Sequence, residues 1–111
     1  MDCIFCKIAN GEIPTNMVYQ DERVAAFHDM NPQAKTHILI VPKSHAENAA
    51  NCAEKYPGTL EHMIKTAKKI AQDLGMDGYR IVMNTGKVAG QTVFHFHMHI
   101  LGGEQLSDHM A

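Results

Sequence analysis

The stretch TVFHFHMHILGG, from Thr92 to Gly103, places histidine at three alternate positions within an otherwise apolar segment. A period of two is typical of a β-strand, because successive side chains along a strand point to opposite faces of the sheet. The pattern therefore predicts a strand over Val93–Leu101 with His95, His97 and His99 on one face. The apolar residues that alternate with them are expected to face the core: Phe94, Phe96, Met98 and Ile100.

The chain is short and nearly neutral, which limits the classes of protein to which it can belong. Its 111 residues predict one domain over 1–111. The 10 basic and 12 acidic side chains give a net charge of −2, so there is no basic surface of the kind that binds nucleic acid. No apolar run approaches the roughly 18 residues that span a membrane, and the N-terminus lacks the apolar core of a signal peptide. We expect a cytoplasmic protein with no nucleic-acid or membrane partner, whose three cysteines are reduced.

The remaining elements follow from local patterns. A short helix and four further strands are predicted over Ile4–Ala9, Met17–Gln20, Arg23–His28, Thr36–Pro42 and Gly78–Asn84. An apolar stripe from Leu60 to Leu74 predicts one long amphipathic helix, with Pro57 in its first turn and Gly75 at its C-terminal end. The segment 43–55 is polar and irregular. One long helix and about five strands without βαβ alternation indicate an α+β fold with an antiparallel sheet.

The row of histidines has three interpretations. A solvated strand face usually carries Lys, Glu, Ser or Thr, and three ligands on one flat strand cannot all converge on one metal ion. Catalysis fits better, because imidazole titrates near neutral pH and is a competent nucleophile toward phosphorus. The loop TGKVAGQ lies directly before the strand, and its glycines allow the backbone to approach a phosphate closely. The residues therefore favour chemistry on a phosphorus compound and leave the other two interpretations open.

Cys3 and Cys6 form a C-x-x-C pair, which could be a redox motif, half of a zinc site or a coincidence. A redox motif usually follows a strand, and none is predicted before Cys3. Zinc would need two more ligands. Cys52 has no evident partner, and His62 and His109 are expected to be solvated.

The chain resembles the histidine triad (HIT) superfamily and, within it, the histidine triad nucleotide-binding branch. GQTVFHFHMHILGG is similar to the pattern H-φ-H-φ-H-φ-φ, in which φ is apolar, and the likeness extends to IFCKIANGEIP, VYQDERVAAFHDMNPQAKTHILIVPKSH and DLGMDGYRIVMNTG. The resemblance implies a HIT-like fold with an antiparallel sheet of about five strands, one long helix and a short N-terminal helix. It also implies a homodimer in which the long helix and an edge strand meet across a two-fold axis.

In function, the resemblance implies a purine nucleotide-binding hydrolase that cleaves the P–N bond of nucleoside 5′-phosphoramidates, such as adenosine monophosphoramidate or AMP-lysine. His97 would be the nucleophile that forms a nucleotidyl-histidine intermediate. His99 would contact the phosphate and the bridging atom, and Thr92 would hold a hydroxyl at the leaving group. His37 would orient the triad.

The same resemblance assigns the nucleotide contacts. Asp29 would hold the ribose hydroxyls, although the sequence alone also allows it to cap the turn at Asn31-Pro32. The phosphate would be held by Asn84, Gly90, Gln91, Thr92, His97 and His99. The base pocket would comprise Ile4, Phe5, Ile8, Phe27, His28, Met30 and Leu39, residues that ordinary core packing would also use.

Superfamily members with an N-terminal C-x-x-C include several that bind structural zinc. By that resemblance, the ligands here would be Cys3, Cys6, His45 of the PKSH segment, and His95, the first histidine of the triad. The metal would support the fold and take no part in the chemistry, since related proteins lack both cysteines.

Three alternatives remain open. The Gln91-Thr92 pair also resembles the dinucleoside polyphosphate hydrolases of the superfamily, which split an anhydride. The protein could instead be a nucleotide-binding scaffold with incidental hydrolysis, or a small zinc-binding structural domain. The tail EQLSDHMA lacks the aromatic, proline-rich ending common in the nucleotide-binding branch, which leaves the substrate preference open.

Overall fold

A computed structural model describes residues 3–109 of the chain. Within this range, none of the helices has both the length and the apolar character needed to cross a membrane. In chain order the elements are α1 Ile4–Ala9, β1 Met17–Gln20, β2 Val24–His28, β3 Thr36–Pro42, α2 Ala49–Lys55, α3 Thr59–Asp73, β4 Tyr79–Val82, a 3₁₀ turn Lys87–Ala89 and β5 Met98–Gly102. The predicted α+β fold is confirmed.

The five strands form one antiparallel sheet in the order β1-β2-β3-β5-β4. β3 lies at the centre, where Ile38 pairs with Ile100 of β5 and with His28 of β2. Its β-branched, apolar sequence suits this place, since both of its faces are covered. β4 and β1 are the two edge strands.

Side chains of the sheet alternate between two apolar clusters, one on each face. Ile38 and Ile40 pack in the cluster that contains α3 residues, whereas Leu39 and Val41 pack in the cluster that contains α1 residues. On β5, Met98 and Ile100 belong to the α3 side. His99, which lies between them and pairs with Leu39, therefore faces the α1 side.

The helical part of the chain differs from the prediction in two places. α3 begins at Thr59 after Gly58, so Pro57 lies outside it, while Gly75 follows its end with a φ of +68° as a helix terminus favours. α2 was not predicted, because its sequence AANCAEK lacks an apolar stripe. The Asn48 side chain caps it, and the fully buried Cys52 anchors it in the core.

The last strand is shorter than predicted. β5 begins at Met98, and segment 92–97 bends instead of pairing in the sheet. The N–H of Phe96 donates to the carbonyl of Ala46 at 2.7 Å. Phe94 is 49% exposed, so the prediction that it faces the core is wrong. The other three alternating apolar residues are buried as predicted: Phe96, Met98 and Ile100.

His62, which was expected to be solvated, is only partly exposed, with 32% of its side chain accessible. Its Nε2 donates to Oδ2 of Asp21 at 2.7 Å, which ties α3 to the turn between β1 and β2. Tyr19 Oη donates to the same oxygen, and the N–H groups of Arg23 and Val24 donate to Oδ1. Burial alone would raise the pKa of Asp21, but these hydrogen bonds hold it well below its usual range.

We predict that Asp21→Asn destabilises the protein most at neutral pH. A carboxyl with a depressed folded-state pKa stabilises the fold above its unfolded value of about 4, and this stabilisation is lost as the pH falls. The variant should lose about 1–2 kcal/mol of unfolding free energy at pH 7, the worth of hydrogen bonds to a charged group. Urea unfolding at pH 7 and pH 3 should show the difference shrinking at the lower pH.

The matched control is Asp73→Asn, because Asp73 forms an exposed pair with Lys69 on α3. Exposed pairs of this kind contribute little, so its unfolding free energy should stay within about 0.5 kcal/mol of the wild type. Equal stability of the two variants at pH 7 would contradict the role assigned to Asp21.

Candidate active site

Three histidines lie close together on the face of the sheet that α1 covers. His99 is on β5, His37 is on the neighbouring β3, and His97 directly precedes β5. The rings of His97 and His99 are 5.0 Å apart between centroids, and those of His37 and His99 are 5.1 Å apart. Phe5 of α1 packs edge-on against His97 with a centroid distance of 4.9 Å. His97 is only 8% exposed, so its ring has little rotational freedom.

The backbone fixes which nitrogen of His97 carries the proton. Its Nδ1 lies 2.8 Å from the carbonyl oxygen of His95. A carbonyl can only accept, so Nδ1–H is the donor and Nε2 keeps a lone pair. A neutral imidazole held in this way presents Nε2 as a nucleophile or general base.

Two successive hydrogen bonds through His37 fix His99 in the opposite tautomer. The N–H of Gln33 donates to Nδ1 of His37 at 3.0 Å, which leaves the proton of a neutral His37 on Nε2. That Nε2–H donates to Nδ1 of His99 at 2.9 Å, so His99 carries its own proton on Nε2. Burial, together with the neighbouring His97 and His37, lowers the pKa of His99 to about 4. His99 is thus a neutral N–H donor at pH 7.

Asp29 lies beside His37 and His99. Its Oδ1 accepts the N–H of Asn31 at 2.8 Å, as the turn-cap interpretation predicts, and its Oδ2 is 3.5 Å from Nε2 of His37. Ligand atoms of Asp29, His37 and His99 lie within 4.8 Å of one another, a spacing that a metal could use. A metal does not fit here, because the Gln33 N–H requires the His37 proton to be on Nε2, the atom that faces the group.

The loop between β4 and the histidines is shaped by two glycines with positive φ, Gly86 at +90° and Gly90 at +96°. The Asn84 amide nitrogen lies 3.9 Å from where a Cβ at position 90 would be. Thr92, at the end of the loop, is exposed. Gln91 is 2% exposed, and its side chain hydrogen bonds to backbone groups of the protein.

The residues expected around the base divide into two groups. Four of them are buried in the α1-side cluster: Phe5, Ile8, Phe27 and Leu39. Ile4 is 50% exposed and Met30 is 96% exposed, and His28 at the end of β2 is exposed as well. These three residues therefore lie on the surface and are not part of the buried cluster.

The four cysteine and histidine side chains expected to bind zinc converge. Nδ1 of His95 lies 3.3 Å from Cys3 Sγ, 3.2 Å from Cys6 Sγ and 3.2 Å from Nδ1 of His45. Cys6 Sγ is 3.3 Å from Nδ1 of His45. Tetrahedral zinc with S and N ligands separates its ligand atoms by roughly 3.3–3.8 Å, so the cluster fits this metal with small adjustments.

The chemistry of the donor atoms agrees with a metal. His95 is fully buried, and its Nε2 donates to the Pro42 carbonyl at 2.7 Å, which leaves Nδ1 with its lone pair toward the cysteines. Burial and the neighbouring Cys3 raise the pKa of the Cys6 thiol to about 11. A cation at the centre would stabilise both thiolates, as zinc does in Cys₂His₂ sites.

Several groups that build the site were not predicted from the sequence. They are backbone groups: the carbonyls of Pro42 and His95 and the N–H of Gln33. Every residue has a backbone carbonyl and nearly all have an N–H, so no residue type signals their use. The place of His37 beside the triad was expected only from the family resemblance; it lies on β3, which pairs with β5.

Comparison with known proteins agrees with this arrangement. A sequence profile described as the HIT domain matches residues 10–106. The chain is 46% identical over 112 residues to the purine nucleoside phosphoramidase of Escherichia coli K12, covering 99% of this chain and 94% of that protein.

Solved structures of histidine triad proteins also resemble this fold. A histidine triad protein from Clostridium difficile superposes with a TM-score of 0.93 at 48% identity, covering 98% of this chain and 96% of that one. A zinc-bound histidine triad family protein from Mycobacterium smegmatis superposes with a TM-score of 0.81 at 34% identity, covering 97% and 81% of the two chains. The chain therefore belongs to the HIT domain family.

Proposed function

We propose that the protein is a hydrolase that cleaves the P–N bond of purine nucleoside 5′-phosphoramidates through a covalent intermediate on His97. The observation that carries this proposal is the tautomer of His97, whose Nδ1–H is held by the His95 carbonyl and whose Nε2 has a free lone pair. The 46% identity to a purine nucleoside phosphoramidase supports the choice of bond.

The reaction proceeds in two displacements at the α-phosphorus. Nε2 of His97 attacks phosphorus, the P–N bond breaks, and the amine leaves after taking up a proton. Water then attacks the nucleotidyl-histidine, which releases a nucleoside monophosphate and restores the imidazole. Burial of His97 against Phe5 keeps its ring in the attacking orientation through both steps.

His99 and Thr92 serve the same phosphorus centre. The Nε2–H of His99 is a neutral donor, suited to a phosphate oxygen or to the bridging atom, where negative charge grows in the transition state. His37 holds that tautomer and contacts no substrate. Thr92, which is exposed, would hold its hydroxyl at the leaving group.

The nucleotide lies along the α1-covered face. Oδ2 of Asp29 is the ribose acceptor, since Oδ1 is already engaged by Asn31. The purine packs against the buried apolar cluster of Phe5, Ile8, Phe27 and Leu39, with Ile4, His28 and Met30 at its rim. Asn84 and the backbone around Gly90 and Thr92 hold the phosphate.

We predict that His97→Ala lowers hydrolysis of adenosine 5′-phosphoramidate by at least about 10³-fold, because the covalent route is lost. Binding of AMP should persist. AMP release and AMP affinity are measured on the same preparation, with His109→Ala, an exposed histidine of the tail, as the control that retains activity.

Diadenosine triphosphate is assayed in parallel with the same variants. Undiminished P–N cleavage by the His97 variant would refute the nucleophile. Faster turnover of the dinucleotide than of the phosphoramidate would assign the protein to the dinucleoside polyphosphate hydrolases. Nucleotide binding without turnover of either compound would favour a scaffold role.

We further propose that Cys3, Cys6, His45 and His95 hold one structural zinc ion. When bound, the metal would join α1 to the bent segment before β5 and neutralise the two thiolates. The metal would take no part in the chemistry, since His97, the proposed nucleophile, is not one of its four ligands. The zinc-bound relative from Mycobacterium smegmatis supports this choice of metal.

We predict that the purified protein contains about one zinc per chain. The Cys6→Ser variant should lose most of it, because a tetrahedral site that keeps only three of its four ligands binds zinc far less tightly than the complete site. Elemental analysis measures the metal, and thermal unfolding with and without a chelator measures its effect on stability. Cys52→Ala removes a cysteine from the core and should retain the zinc. Folded, reduced wild type with far less than one zinc would contradict the site.

We also propose a homodimer in the cytoplasm, formed through the β4 edge. Four large apolar residues on α3 and β4, or just after these elements, are 37–49% exposed: Ile64, Leu74, Tyr79 and Met83. Leu74 and Tyr79 line the same groove of about 710 Å³, which lies at the end of β5 away from His97. An unpaired strand edge beside exposed apolar side chains favours pairing with a second copy.

We predict that Ile64→Glu converts the dimer to a monomer at micromolar concentration, because the variant places a charge in the apolar contact. Analytical ultracentrifugation measures the mass. Val88→Glu changes a fully exposed apolar residue of the 3₁₀ turn and should leave the dimer intact. A monomeric wild type, or a dimeric Ile64 variant, would contradict this interface.

A further inference from the structure

Gln91 is a buried polar side chain that uses its whole amide within the protein. It is 2% exposed. Its Oε1 accepts the N–H of Gly86 at 2.9 Å, and its Nε2 donates to the carbonyls of Glu47 at 2.6 Å and Val93 at 3.1 Å. An amide NH₂ has two hydrogens, so both donors are occupied. Its backbone N–H donates to the Gly86 carbonyl at 3.1 Å.

These bonds join the two segments that supply the histidine ligands of the metal cluster. Glu47 lies two residues after His45, and Val93 lies two residues before His95. The contact of Gln91 with Glu47 spans 44 residues of chain. It therefore fixes the distance between the backbones on which His45 and His95 are carried.

The bent segment 92–97 needs such an anchor because it is not paired in the sheet. Three contacts hold it in place. The Phe96 N–H donates to the Ala46 carbonyl and the His95 ring donates to the Pro42 carbonyl. The Gln91 side chain bonds to the carbonyls of Val93 and Glu47. The carbonyl of His95 in turn holds Nδ1–H of His97 at 2.8 Å. A shift of this segment would thus disturb the metal ligand and the nucleophile together.

We propose that Gln91 is a positioning residue that couples the metal cluster to the nucleophile, and that its side chain does not bind the phosphate. It acts by holding Val93 and Glu47, and through them the His95 carbonyl that orients His97. This inference rests on the proposed function for its kinetic part, and it changes the role expected for Gln91 from the sequence. The phosphate contacts then come from Asn84, Thr92 and the loop backbone.

The test uses two variants of the full-length, zinc-loaded protein. Gln91→Glu keeps an acceptor for the Gly86 N–H and removes both donors, whereas Gln91→Met keeps the volume and removes all three bonds without adding charge. The control is Gln72→Glu, an exposed residue of α3. Folding is checked by circular dichroism and by thermal unfolding.

Three quantities are measured on each variant: kcat and KM with adenosine 5′-phosphoramidate, the Kd of AMP by calorimetry, and the rate of zinc release to a chromophoric chelator. We expect kcat to fall and zinc release to accelerate, each by about 10–100-fold, the range found when a residue supporting a metal ligand is lost. KM and the AMP Kd should change less than about threefold, because no phosphate contact is removed. Gln72→Glu should match the wild type.

A tenfold weaker AMP affinity with unchanged zinc release would overturn the proposal, since that is the signature of a phosphate ligand. Unchanged values of all three quantities would also overturn it, as would loss of the fold in both variants, which would make the role of Gln91 purely structural. If the wild type itself fails to cleave the phosphoramidate, the proposed function fails. Zinc release and AMP affinity then still decide the role of Gln91.

Discussion

The structure of the site depends on His95, a fully buried residue with three separate partners. Its Nε2–H is fixed on the Pro42 carbonyl, its Nδ1 points to the cysteine pair, and its own carbonyl receives Nδ1–H of His97. Because the ring and the carbonyl belong to one residue, the proposed metal cluster and the proposed nucleophile cannot move independently. This one residue thereby connects the N-terminal helix, the end of β3 and the ring of His97.

Peptide groups, rather than charged side chains, fix the proton positions of the site. A carbonyl faces one nitrogen of His95 and one of His97, and an N–H faces one nitrogen of His37. A carbonyl oxygen can only accept and an N–H can only donate, so each ring has one favoured tautomer. The crowding of buried imidazoles supports this neutrality, since burial lowers the pKa of His95 and of His99 to about 4 each. The site therefore offers a lone pair on His97 beside an N–H on His99 without any ion pair.

The helices and strands whose bounds depend on local apolar patterns could be predicted from the sequence. The bounds of α1, β1 and β3 agree with the prediction because apolar periodicity decides them. The features that were not predicted depend on contacts between residues far apart in the chain. The helix α2 depends on the burial of Cys52, and His62 bonds to Asp21 across 41 residues. In the site, the alternation of the sequence indicated that the three histidines act together, but it could not assign a different partner to each of them. The division between metal and phosphorus chemistry came from the family resemblance, and the bonds of Gln91 had no sequence signal.

Proline explains why a period of two does not produce a continuous strand here. β3 and β5 pair from Thr36 opposite Gly102 to Ile40 opposite Met98, and continuing the ladder would place Phe96 opposite Pro42. Pro42 has no N–H to donate, and its carbonyl is taken by the His95 ring, so the ladder ends. The N–H of Phe96 turns to another carbonyl, and the segment bends. The bend lets His95 point toward the cysteines while His97 and His99 stay together, so one proline at the end of β3 separates the histidine proposed to bind zinc from the pair proposed to act on phosphorus.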